Sequence, residues 1–200
     1  MFKTTPLLAG LASLCLASQP LLAAEETVHQ HGAHVHGVAQ LNVVLEDGRL
    51  DMEFTTPAAN IVGFEHPPRT AEEHQALSKT IGVLNAPGQL FSLPSAAACR
   101  NTETVVDASM LGHETHDQDT KEDEHPDDAH HHEDGHHGSE RHAEIHADYS
   151  FQCSAPEKLD VIDVLIFQYF PATQEIEVQR IGPQGQGGQK LTAKAARLTL

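Results

Sequence analysis

The chain has 200 residues, of which 29 are acidic, 12 are basic and 16 are histidines, and its formal net charge at pH 7 is −17. This charge repels nucleic acids and anionic lipid surfaces and attracts cations. Aromatic residues make up only 4% of the sequence and tryptophan is absent, which argues against a surface that stacks on bases or sugars.

Residues 1–24 have the pattern of a secretory signal peptide. Lys3 gives a short positive start, residues 7–22 form an apolar run, and Leu22-Ala23-Ala24 offers a small-residue cleavage site. Polar residues interrupt the run and no stop-transfer charges flank it, which argues against a membrane anchor. We therefore expect an exported protein whose mature chain starts near Glu25.

The expected mature N-terminus contains four histidines within eight residues. His29 and His31 form one His-x-His pair, and His34 and His36 form a second. In an extended chain that rises about 3.3 Å per residue, the two rings of each pair lie on the same side. Both rings can then reach a common ion at about 2.1 Å. These four histidines are predicted metal ligands.

A β-hairpin and a helix follow. Apolar and polar residues alternate over residues 39–45 and 50–55, on either side of an Asp-Gly turn, which is typical of a hairpin. Thr70 and Glu73 form a capping-box pattern, and the apolar stripe behind them predicts a helix over residues 71–84.

The rest of the chain is predicted to be mainly β-structure. Alternating or short apolar runs predict strands at residues 90–93, 99–106, 143–153, 176–181 and 191–200. Residues 159–170 fit a buried strand or a short helix equally well, and the Gly/Gln/Pro-rich residues 182–188 predict a loop. The sequence therefore predicts an α+β fold, a β-dominated single domain over residues 25–200 with one or two helices.

A histidine- and acid-rich stretch interrupts this domain. Residues 113–146 hold ten of the 16 histidines and twelve of the 29 acids. The stretch is almost free of apolar residues and cannot bury a core, so we expect a disordered His/Asp/Glu-rich insert at residues 108–141. Zinc selects imidazole and carboxylate ligands, although nickel and copper(II) also bind them. The candidate ligands here are His113, His116, His125, His130, His131, His132, His136, His137, His142, Glu144 and His146.

Each ion bound by the insert must order a flexible segment, so several Zn²⁺ ions of modest affinity are expected. The end of the stretch does not match a zinc protease, because that signature has Glu directly after the first His on a helix. Here the pattern is that of a strand, in which His142 and His146 are about 13 Å apart. Either His142 with Glu144 or Glu144 with His146 remains possible as a ligand pair. We expect no enzyme; a zinc-dependent enzyme and a zinc-responsive structural or sensor module are the alternatives.

Two cysteines, Cys99 and Cys153, remain once the signal peptide is removed. An even pair in an oxidising compartment predicts one disulfide, and a thiolate metal site is the alternative. The two cysteines lie on the predicted strands that flank the insert. If those strands pair antiparallel, a disulfide can close beneath the insert.

The mature chain resembles the zinc-regulated periplasmic proteins of the ZrgA type. The resemblance rests on the segment HGAHVHGVAQLNVVLEDGRLDMEFTTPAANIVGFEH, on a cysteine before and after an HHHEDGHH insert, and on FQYFP and IEVQRI near the end. It implies a periplasmic protein, made under zinc limitation, that captures or buffers Zn²⁺ and assists high-affinity zinc import. The implied partner is a zinc ABC importer or its periplasmic binding protein.

Overall fold

The computed structural model describes residues 35–112 and 143–200. The strands are β1 (Val38–Glu46), β2 (Arg49–Pro57), β3 (Phe91–Ser92), β4 (Cys99–Asp107), β5 (Glu144–Cys153), β6 (Val161–Val164), β7 (Glu175–Gly182), β8 (Gly185–Thr192) and β9 (Arg197–Thr199). The α-helices are α1 (Ala71–Leu84), α2 (Pro87–Leu90) and α3 (Ile166–Tyr169). The predicted α+β fold, dominated by β-structure, is confirmed. None of the described helices is long and apolar enough to cross a membrane.

The strands form two sheets that share one core. The larger sheet has the order β4-β5-β2-β1-β7-β8, and the smaller one has the order β3-β6-β9. All neighbouring strands are antiparallel except β1 and β7, which are parallel. Phe91 of β3 packs edge-on against Tyr149 of β5, with ring centroids 5.3 Å apart. The inner face of the larger sheet is therefore covered, and its outer face carries the polar side chains of the alternating pattern.

The predicted hairpin and helix are confirmed. Asp47 and Gly48 form the turn with φ values of 49° and 80°, which matches the positive φ that a two-residue hairpin turn requires at both positions. In α1, the Thr70 hydroxyl accepts the Glu73 N–H at 3.2 Å, and the Glu73 carboxylate accepts the Thr70 N–H at 3.3 Å. This capping box satisfies two backbone donors at the start of the helix.

Two predictions for the C-terminal part were wrong. Residues 182–188 are not one loop, because β8 begins at Gly185 and pairs with β7 through backbone hydrogen bonds that need no side chains. Residues 191–200 are not one strand, because a turn bridged by Thr192 and Ala195 redirects the chain into the smaller sheet. The apolar run 159–170 contains both predicted alternatives, first β6 and then α3.

The first residues of the predicted insert belong to the folded domain. Ser109–Leu111 form a 3₁₀ turn, and Ala108 and Leu111 are buried in the core. The Asp107 carboxylate accepts the backbone N–H of Ser109 at 2.8 Å. The remaining insert residues, 113–141, lie outside the described residues.

Cys99 and Cys153 form the predicted disulfide. They are direct register partners on β4 and β5, which pair antiparallel as the prediction required. The alternative of a thiolate metal site is therefore wrong, because bridged sulfurs are not available as thiolates.

Replacing both cysteines, Cys99→Ser with Cys153→Ser, should lower the free energy of unfolding by up to about 4 kcal/mol. The bridge closes a loop of 54 residues, and in the chain-entropy model this constraint raises the free energy of the unfolded chain by about that amount. Urea unfolding without reductant measures the difference from the wild-type protein. Two superimposable unfolding curves would contradict a stabilising bridge.

Candidate metal site

The candidate ligands within the described residues lie at one end of the larger sheet, termed the His36 end. The start of β1, the end of β2, the end of β4 and the start of β5 meet there. The described chain also begins at this end, at Val35, breaks after Gly112 and resumes at Ala143. Both histidine-rich segments of the sequence are therefore joined to the folded domain at the His36 end.

Three of the predicted ligands are described, namely His36, Glu144 and His146. Within the described ranges, no group of three or more His, Cys, Asp or Glu side chains is arranged to hold a metal ion. The described residues therefore offer part of a coordination shell. The predicted ligands outside the described residues are His29, His31, His34, His113, His116, His125, His130, His131, His132, His136, His137 and His142.

Glu144 and His146 form a ligand-like pair at the start of β5. The Nε2 atom of His146 is 3.8 Å from the Oε2 atom of Glu144. Two ligands about 2.1 Å from a tetrahedral zinc ion lie about 3.4 Å from each other. A small side-chain rotation would thus let the pair share one ion. The sequence left open whether Glu144 pairs with His142 or with His146. The structure brings Glu144 and His146 together, and His142 lies outside the described residues.

The second ring nitrogen of His146 also has a partner. Its Nδ1 atom lies 3.1 Å from the Oγ1 atom of Thr55 on β2, the direct register partner of His146. In the tautomer in which Nδ1–H donates to Thr55, the lone pair of Nε2 faces Glu144. The Thr55 hydroxyl can donate or accept, so the contact orients the ring in either tautomer, and the tautomer with hydrogen on Nδ1 is the one that presents Nε2 to a metal.

An acidic residue that sequence reasoning missed lies opposite His146 on the other neighbouring strand. This residue is Asp107 at the end of β4. Hydrogen bonds from the backbone and side chain of Ser109 hold the pKa of Asp107 below its usual value, and His146 adds to this effect. Asp107 therefore remains ionised at neutral pH and contributes negative charge beside the Glu144–His146 pair.

The outer face of the same strands continues this negative charge. A shallow groove of about 390 Å³ is lined by four acids, Asp51, Glu53, Glu103 and Asp148, and by one base, Arg49, which is paired with Asp51 at 2.8 Å. Burial raises the pKa of Asp148, and the negative charge of Glu53 raises it further. Such a field increases the local concentration of cations, although the described acids do not form a closed site.

His36 has a carboxylate partner that sequence reasoning also missed. Its Nε2 atom is 2.9 Å from the Oε1 atom of Glu65, which lies in the connection between β2 and α1. This contact joins residues 29 positions apart, so no local spacing pattern could have indicated it. The only sequence signal for Glu65 was that it directly precedes another histidine, His66.

The other two described histidines have surface roles. The His66 ring stacks on Phe64 with centroids 5.3 Å apart, and its Nδ1 atom lies 2.9 Å from the Pro67 carbonyl oxygen. His74 is exposed on α1. His74 therefore provides a control position for substitutions of histidine.

Replacing the aspartate at 148 by asparagine (Asp148→Asn) should stabilise the fold at pH 7 by about 1 kcal/mol or less, since solvent screens this surface site. A pKa raised by folding means that the protein loses stability as pH rises through that pKa. The neutral amide of asparagine does not ionise and avoids this loss of stability. Below about pH 4 the wild-type carboxyl group is protonated as well, so the difference in stability between the two proteins should vanish there. Urea unfolding at pH 7 and pH 3.5 measures the difference.

The exposed Asp160 supplies the matched control, Asp160→Asn, which should leave the stability at both pH values nearly unchanged. An Asp148→Asn variant that is less stable than wild type at pH 7 would contradict the destabilising effect that burial and the charge of Glu53 have on ionised Asp148.

Comparison with known proteins supports one family. A search of curated proteins finds no match. The sequence profile of one family, described as "ZrgA family zinc uptake protein", matches residues 33–200. The match spans both described ranges, including the hairpin, α1, the two disulfide-bonded strands and the His36 end. The chain therefore belongs to the ZrgA family of zinc uptake proteins.

Proposed function

We propose that this protein captures or buffers Zn²⁺ in the periplasm under zinc limitation and assists its high-affinity import. Membership of a zinc uptake family supports the choice of cargo. The observation that carries the proposal is the Glu144–His146 pair, an imidazole and a carboxylate 3.8 Å apart at the start of a strand. Both are ligand types that bind zinc at about 2.0–2.2 Å.

The His36 end is the proposed place of the tighter site. Glu144 and His146 are held by paired strands, so binding an ion to them costs less conformational entropy than binding it to a flexible segment. Thr55 supports the ring of His146 through a contact of 3.1 Å. The ionised Asp107 and the acidic groove favour a divalent cation over an anion at this end.

The insert is proposed to collect ions and supply them to the His36 end. It contains eight of the predicted histidine ligands, His113 to His137, and it joins the described domain after β4 and before β5. Many alternative ligand sets of similar affinity favour rapid exchange over tight retention. Ions collected there would therefore be released to a site with ordered ligands.

Export and the partner complete the proposal. The signal-like residues 1–24 support a periplasmic location. The resemblance to ZrgA-type proteins supports a zinc ABC importer, or its periplasmic binding protein, as the recipient of the ion. The family is described by uptake and not by a reaction, and we propose no catalysis.

Substitution of the strand pair should weaken the tightest zinc site. His146→Ala and the similarly sized Glu144→Gln should each lower zinc affinity by more than about tenfold, because loss of a direct ligand costs at least as much as loss of an outer-shell partner. Competition with a chromogenic chelator at substoichiometric zinc measures this site separately from the weaker ones.

His74→Ala removes one exposed histidine from α1 and serves as the matched control, with no expected change in the tightest affinity. If both substitutions at the strand pair left that affinity at the wild-type value, Glu144 and His146 would not be ligands of the tightest site.

Deleting residues 113–141 should reduce the number of bound ions without removing them all. Because β4 and β5 are neighbours in the sheet, a short Gly/Ser linker can join Gly112 to His142. Native mass spectrometry of the full-length and shortened chains counts the zinc ions. Retention of at least one ion supports a site at the His36 end, and loss of every ion contradicts it.

A further inference from the structure

The backbone at His36 is fixed by contacts on both sides of the next residue, Gly37. The Gly37 N–H donates to the Asn60 side-chain oxygen at 2.7 Å. The Gly37 carbonyl oxygen accepts the N–H groups of Gln174 and Glu175 at 2.7 and 3.0 Å. Gly37 has φ +86°, and a Cβ atom there would lie 3.1 Å from the Gln174 side chain. The turn that carries His36 is therefore tightly constrained.

Asn60 links this turn to the connection that carries Glu65. It is only 4% exposed, and its Nδ2 atom donates to the Val38 carbonyl oxygen at 3.1 Å and to the Thr56 hydroxyl at 3.0 Å. A buried amide with several hydrogen bonds has little freedom to move, because breaking any of them leaves an unsatisfied polar group. The positions of the turn and of the connection are thus coupled.

The contact between Glu65 and His36 is asymmetric in exposure. The Glu65 side chain is 14% exposed, whereas the His36 side chain is 64% exposed. The carboxylate is therefore the enclosed member of the pair, and the imidazole is the member that solvent ions can approach. This is the arrangement expected of a ligand supported from behind by a second residue.

The chemistry of the contact assigns the ring nitrogens. An ionised carboxylate only accepts hydrogen bonds, so in the 2.9 Å contact the Nε2 atom of His36 donates its hydrogen to Glu65. In a neutral imidazole whose Nε2 carries the hydrogen, the lone pair that binds metals is on Nδ1.

We propose that Glu65 is a positioning residue of the zinc site, which orients His36 to bind the ion through Nδ1. The inference rests on the proposed function, that is, on a zinc site at the His36 end. Glu65 fixes the ring orientation and the tautomer, and it increases the basicity of the nitrogen that binds the metal. Glu65 itself does not contact the ion.

A double-mutant cycle in the full-length chain tests this role. Zinc affinity is measured by chelator competition for Glu65→Ala, His36→Ala and the double variant. Glu65→Ala should lower the affinity about 10- to 100-fold, as is typical of outer-shell partners. Glu65→Gln should cost less, because its amide oxygen still accepts the Nε2 hydrogen. In the His36→Ala background, Glu65→Ala should have no further effect.

Glu72→Ala provides the matched control, since it removes one exposed carboxylate from the first turn of α1 and should leave zinc affinity unchanged. Nitrogen-15 NMR of the His36 ring in the zinc-free chain reads the tautomer directly. The wild-type ring should carry its hydrogen on Nε2, and Glu65→Ala should produce a mixture of tautomers. A merely structural role of Glu65 would leave this tautomer unchanged.

The outcomes separate this inference from the proposed function. An undiminished effect of Glu65→Ala in the His36→Ala background, or zinc bound to Nε2, would overturn the positioning role. If Glu144→Gln and His146→Ala weaken zinc binding while Glu65→Ala and His36→Ala do not, the inference fails and the proposed function stands. A full-length chain that binds no zinc would overturn both.

Discussion

The pairing of β5 between β2 and β4 is the constraint on which the rest of the structure depends. At one end of β5, Cys153 is bonded to Cys99 of β4. At the other end, His146 lies between Thr55 and Asp107. The described chain stops at Gly112, after β4, and resumes at Ala143, just before β5. The covalent bond therefore holds the two strands together at the end opposite the insert, and the strand pair sets the spacing of the candidate ligands.

A single irregularity in this pairing decides what faces His146. Between Asn101 and Glu103 the register of β4 against β5 shifts by one residue, as it does at a β-bulge. With the register that the disulfide sets, His146 would lie opposite Val106. The shift places Asp107 there instead and turns Val106 into the core, where it is 5% exposed. A one-residue slip exchanges the two faces of a strand. The bulge therefore allows Cys99 to lie opposite Cys153 at one end of the strand pair and Asp107 to lie opposite His146 at the other.

The two described candidate histidines are supported by different means. His146 is held by a regular strand and a hydroxyl group, whereas His36 lies outside the sheet and is held by a carboxylate and a clamped glycine turn. In both, one ring nitrogen contacts a protein atom, which orients the ring. The acids of the neighbouring groove attract cations, and burial together with the negative charge of Glu53 raises the pKa of Asp148. Keeping Asp148 ionised at neutral pH therefore costs the fold some stability.

The sequence by itself determined the features that depend on local patterns. Alternation around an Asp-Gly turn determined the hairpin, a Thr-x-x-Glu box determined the start of α1, and an even pair of cysteines indicated the disulfide. The abundance of histidine and acid also predicted zinc as the bound metal, and the role in zinc import came from the family resemblance. Only the tertiary structure decided which residues meet at the His36 end. The Glu65–His36 contact spans 29 residues, and Asp107 reaches His146 only through a bulge. The glycine-rich β8 is a strand only because β7 pairs with it. Contacts of this kind are formed by packing and register, and neither is encoded in the spacing of neighbouring residues.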